Sequence, residues 1–101
     1  MAKHSWTDKY APGTAGPEGG KILTDREYGG SARVTLEKLH DGVEAVTCGI
    51  YGFMVHTVYR EAGAGQNARL RIEKEIQELI DADLDSDAFL RRIDKFCSDF
   101  N

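Results

Sequence analysis

Apolar positions along this chain follow two different periods. From Ser31 to Leu39 they alternate, with Ala32, Val34 and Leu36 on one side and Arg33, Thr35 and Glu37 on the other. A period of two belongs to a β-strand with one buried face. From about Gln66 the period becomes helical. Ile72, Ile76, Leu79 and Ile80 recur at i, i+4, i+7 and i+8, and Glu73, Lys74, Gln77 and Glu78 lie off that stripe. The segment DADLDSD, residues 81–87, interrupts it. Phe89, Ile93, Phe96 and Phe100 then restore the helical spacing, flanked by Leu90 and Cys97, and Asp85 or Ser86 stands where a helix cap belongs. Two amphipathic helices are predicted, at about 66–82 and 86–99, joined as a helical hairpin.

Between these patterns lies the longest apolar run, Glu44–Arg60, EAVTCGIYGFMVHTVYR. Its β-branched and aromatic residues predict one long, bent β-strand. A separate hairpin at Gly49-Ile50-Tyr51-Gly52 is disfavoured, because primed turns place positive φ at central positions that Ile and Tyr resist. The two glycines therefore read as a bulge or bend in a continuous strand. Ahead of this run, Asp41-Gly42 is a hairpin turn that folds it antiparallel onto 31–39. Residues 21–29, KILTDREYG, mix β-formers with charge and read as a short edge strand, followed by a Gly29-Gly30 turn. Residues 1–20 hold both prolines and four of the eleven glycines without periodicity. They read as a flexible arm ahead of a single domain spanning 21–101. Trp6 and Tyr10 stand out in that arm, as aromatics able to tuck into a groove.

The elements sum to β-β-β-α-α. This is an α+β fold: a three-stranded antiparallel meander (about 21–29, 31–39 and 44–60) with the helical hairpin packed on its Ala32/Val34/Leu36 face.

Composition narrows the class. A chain of 101 residues supports one modest core. Only two cysteines, Cys48 and Cys97, occur, which is too few for a disulfide scaffold and points to free thiols in the cytoplasm. The N-terminus lacks a signal-peptide apolar core, and Ala45–Val55 is too short to span a bilayer, so no membrane partner is expected. Net charge is −4, and residues 61–101 hold the whole surplus, with ten acids against six bases. That balance argues against nonspecific nucleic-acid binding.

Several motifs carry possible chemistry. Gly63-Ala64-Gly65-Gln66-Asn67-Ala68 matches G-x-G-x-x-A between a strand and a helix, but no second parallel strand follows, so a dinucleotide site is not expected. Asp81, Asp83, Asp85 and Asp87 have the spacing that opens a calcium loop. Ser86 and Arg92 then occupy the glycine and bidentate-glutamate positions, and the segment reads as a capped linker. Cys48 and His56 lie eight residues apart on the predicted strand, about 26 Å, too far to act together. The basic residues Arg69, Arg71, Lys74, Arg91, Arg92 and Lys95 are interleaved with acids and read as a solvated face. No cofactor, metal site or catalytic constellation is expected.

The long run itself carries the candidate surface. Its even positions, Val46, Cys48, Ile50, Met54 and Val58, suffice for a core beneath the helices. Its odd positions, which include Tyr51, Phe53, Val55 and Tyr59, are also apolar, yet one helical pair covers only one face. An open apolar face marks an interface or a binding groove. The leading expectation is a binding protein that self-associates through that face as a homodimer, or meets a protein partner there. The alternative is a small-ligand site or small enzyme, its groove lined by Arg33, Tyr51, His56 and Tyr59, with arginine holding an anionic group and histidine or tyrosine handling a proton. Arg33, Tyr51, Phe53, His56 and Tyr59 are thus the candidate site residues.

Overall fold

A computed structural model describes residues 2–101. Five strands form one antiparallel sheet: β1 (Trp6–Asp8), β2 (Lys21–Tyr28), β3 (Ala32–Lys38), β4 (Glu44–Ile50) and β5 (Met54–Arg60). Two helices follow, α1 (Gly65–Asp81) and α2 (Ser86–Asp99). Strand order in the sheet is the order in the chain, β1-β2-β3-β4-β5. The α+β class and both helices agree with the sequence reading; the strand count does not.

The first correction concerns Glu44–Arg60, which is a hairpin rather than one bent strand. Ile50 pairs with Met54, and the ladder continues to Glu44 opposite Arg60. Phe53 N donates to Ile50 O at 2.9 Å, and Gly52 has φ +85°. A turn of this kind needs positive φ only at its third residue, where Gly52 stands. Excluding primed turns therefore did not exclude a hairpin. Gly49 lies within β4, not in the turn.

The second correction is at the N-terminus. Trp6–Asp8 pairs with Arg26–Tyr28 and becomes the sheet edge. The following segment is also held by backbone bonds: Lys9 N to Asp25 O, Gly13 N to Ile22 O, and Ile22 N to Thr14 O, each 2.8 Å.

The helices cover the face expected for them. Val34, Leu36, Val46, Cys48, Ile50 and Val58 meet Ile72, Ile76 and Leu79 of α1, and Ile93, Phe96 and Phe100 of the α2 region. Tyr28 ends this core. It is fully buried, stacked on Trp6 with ring centroids 5.0 Å apart, and its hydroxyl donates to Asp81 Oδ1 at 2.6 Å. Trp6 Nε1 donates to Gln77 Oε1 at 2.9 Å, so this arm aromatic is fastened to α1.

Candidate functional site

The strand registers fix which side chains share the outer face. Asp25 lies opposite Thr35, Glu27 opposite Arg33, Arg33 opposite Gly49, Thr35 opposite Thr47 and Glu37 opposite Ala45; Gly49, Thr47 and Ala45 in turn face Val55, Thr57 and Tyr59. The β4–β5 turn joins residues of like parity, so splitting the long run leaves the odd positions together. Four apolar side chains stand open: Val55 is 81% exposed, Phe53 58%, Tyr59 52% and Tyr51 45%. A groove of about 560 Å³ runs among Tyr51, Phe53 and Val55, walled also by Arg33, Thr47 and Gly49, with Pro17 at one side. That volume falls in the range of small-molecule sites.

Beside the groove, the same face buries carboxylates. Asp25 accepts a bidentate pair from Arg33, Nε at 2.8 Å and Nη2 at 2.7 Å. It also accepts Thr35 Oγ1 at 2.8 Å and Tyr10 N at 3.2 Å. Burial alone would raise the Asp25 pKa, but Arg33 and Thr35 outweigh it and hold the carboxyl below its ordinary value. Arg33 is raised, chiefly by its hydrogen bond to Asp25, and it lies over the Tyr10 ring at 5.1 Å. The charge expected to seize an anion is thus already balanced within the fold.

Glu37 is fully buried and is gripped by the arm. Its Oε1 accepts Gly20 N at 2.9 Å and Glu18 N at 3.1 Å. Successive backbone N–H groups around a carboxylate form an anion nest. A Cβ on Gly16 would stand 2.7 Å from the Glu37 carboxyl, so any side chain there would have to displace that carboxyl from its hydrogen bonds. Residues 9–20 are therefore a strap across the outer face, anchored on Asp25 and Glu37. Two exposed tyrosines tie into the same network. Tyr51 donates to Glu27 Oε2 at 2.6 Å, and Glu27 also accepts Lys9 Nζ at 3.0 Å. Tyr59 donates to Glu18. Both phenols are raised, Tyr51 by burial and then by Glu27, Tyr59 by its bond to Glu18 and then by burial.

The other sequence candidates divide. Arg33, Tyr51 and Phe53 line the groove and Tyr59 stands beside it on the same face. Phe53 also leans on Phe89 of α2, edge to face at 4.8 Å. His56 is not with them. It lies on the helix side, its Nε2 hydrogen-bonded to Phe100 O and its ring 6.4 Å from that of Phe96. The hairpin also overturns the separation assigned to Cys48 and His56, which are direct cross-strand partners, with Cys48 Sγ donating to His56 O at 3.3 Å. No nucleophile results: burial pushes the Cys48 thiol up to about 12, where the thiolate is negligible.

The glycine and aspartate motifs have internal uses. Glu44, buried on β4, accepts Gly63 N and Gly65 N at 2.8 Å each. The chain's own carboxylate occupies the start of α1, where a phosphate would bind in a dinucleotide fold. Asp85 caps α2 by accepting Ala88 N at 2.9 Å, Asp81 serves Tyr28, and Asp83 pairs with Lys3 Nζ at 2.8 Å. Among the described residues no group of three His, Cys, Asp or Glu could hold a metal ion, and no helix is long and apolar enough to cross a membrane.

Sequence reasoning missed Asp25, Glu27 and Tyr10, which complete the Arg33 network. For Asp25 and Glu27 the signal is one of register, four and two residues ahead of the Gly29-Gly30 turn with Arg33 three residues after it, and it becomes readable only once that pairing is fixed; Tyr10 comes from the strap. Comparison with family models, with curated proteins and with solved structures returned no match.

Proposed function

We propose that this chain is a cytoplasmic binding protein that self-associates as a homodimer through its outer sheet face. The observation that carries this reading is the exposed apolar cluster Tyr51, Phe53, Val55 and Tyr59, on a sheet whose opposite face is already filled by helices. Contiguous apolar surface of this kind marks an association site, and tyrosine is a frequent anchor in such sites. A two-fold pair brings each cluster against its copy and hides both.

Size exclusion with light scattering tests the reading. The expected mass is twice 11.2 kDa. Val55→Asp is expected to return the protein to a single chain while shifting stability by no more than about 0.5 kcal/mol, since the side chain is solvent-exposed. A wild-type protein that runs as a single chain at every concentration tested would sink the proposal.

A further inference from the structure

Gly49 is the residue on the outer face that the fold does not explain. It sits inside β4 with an unbroken register, opposite Arg33 on one side and Val55 on the other. Its φ is not among the positive ones. An added Cβ would meet Met54 O at 3.5 Å and Val55 Cγ2 at 3.9 Å, both ordinary contacts. Glycine weakens a strand interior, and where neither bulge nor turn requires it, it often marks close approach by a ligand or another chain. Here the missing side chain opens the floor of the groove.

The groove's one charged wall has a defined character. Two of the three Arg33 nitrogens are fixed on Asp25, and the third, Nη1, has no hydrogen-bond partner among the described residues. The guanidinium is therefore held in place with donors to spare, while its charge is met by Asp25. Next to it Lys9 is matched by Glu27. The remaining walls are uncharged. A carboxylate entering here would gain donors from Arg33 and face repulsion from Asp25 and Glu27; an ammonium would find no free acceptor charge. A neutral acceptor escapes both costs.

We propose that Gly49 and Arg33 form a subsite for a neutral, apolar small molecule carrying a carbonyl group. The hydrocarbon part lies on Gly49 between Thr47 and Val55, and the carbonyl oxygen accepts from Arg33 Nη1. The subsite is complete within one chain, but Tyr51 and Val55 also belong to the face proposed to pair, so a probe bound there competes with a second copy.

The test is a titration of isotope-labelled full-length protein, followed by NMR, with cyclohexanecarboxamide, cyclohexanecarboxylate and cyclohexylmethylammonium as matched probes. The carboxamide is expected to shift the amide signals of Thr47, Gly49 and Val55 and the side-chain N–H of Arg33, and to bind at least about tenfold more tightly than either charged probe, a difference of about 1.4 kcal/mol. Gly49→Val fills the floor and is expected to weaken carboxamide binding at least about tenfold, with the remaining sheet signals kept. Should valine disturb the sheet, Gly49→Ala, whose Cβ meets only ordinary contacts, is read by the same loss. No shift with any probe up to its solubility limit, equal or tighter binding of the carboxylate, or undiminished affinity in the folded glycine variant would each overturn the proposal.

Discussion

The two faces of this sheet invert each other. On the helix side, apolar residues are hidden: Val34, Val46, Cys48 and Val58 are at most 1% exposed. On the outer side, carboxylates are hidden, with Ile22 and Ala45 beside Glu37, and the larger apolar groups are shown. Asp25, Thr35 and Glu37 are at most 2% exposed there, while Val55, Phe53, Tyr59 and Tyr51 stand open. The helix side is held by close packing of hydrocarbon. The outer side is held by hydrogen bonds between buried carboxylates and the strap. The difference teaches that a second layer can be attached with little hydrocarbon burial, here Ile22 and Ala45. Carboxylates that accept backbone N–H groups fix the strap at named points and leave the neighbouring apolar surface uncovered.

Three substitutions sharpen or break this contrast. The largest effect is expected on the helix side. Ile72→Ala, at a fully buried position, is expected to cost about 2–5 kcal/mol in urea unfolding, from lost transfer energy plus a cavity. A loss below 1 kcal/mol would mean that this side is not the stability core. The next effect is on the strap. Glu37→Gln turns an acceptor-only group into one that points N–H at N–H, and is expected to cost about 1–3 kcal/mol. It is also expected to speed protease cleavage within residues 9–20, while cleavage in the helices stays unchanged. Cleavage that rises everywhere alike would show that the strap is not separately held. The smallest effect has the opposite sign. Gly49→Ala is expected to stabilise the protein by about 0.5–1 kcal/mol, because the strand gains a residue that loses less entropy on folding. Destabilisation would show that the groove floor is needed by the fold itself.

Much of this architecture is legible in the chain. Alternation in 31–39 gives β3 and its buried side, Asp41-Gly42 gives the β3–β4 turn, and apolar spacing gives both helices within a residue or two. Position 56 is even and 51 odd, so parity argues against the groove that groups His56 with Tyr51, and the β4–β5 turn preserves that parity. What escapes has a common physical cause. The strap looks unstructured because its composition is rich in glycine, yet Gly16 is a close-approach position for the Glu37 carboxylate and Gly20 for the Lys38 carbonyl, both far along the chain. β1 is three residues long, too short for any period to register. The cap of α1 comes from Glu44, on another element. Local pattern carries no trace of partners chosen by tertiary register. The arginine at 33 was readable as a candidate, but its neutralisation by Asp25 was not, and that pairing changes the ligand chemistry it suits.

The Glu44 contact bears on the stability of α1. Helix nucleation is unfavourable because several residues must be fixed before the first bond forms. The start of α1 has no capping side chain of its own; its anion arrives from β4, some twenty residues upstream. A peptide cut to the helix alone lacks that anion. In the whole chain, the first turn gains its carboxylate only when β4 is in place, so the stability of the start of α1 is tied to that of the sheet.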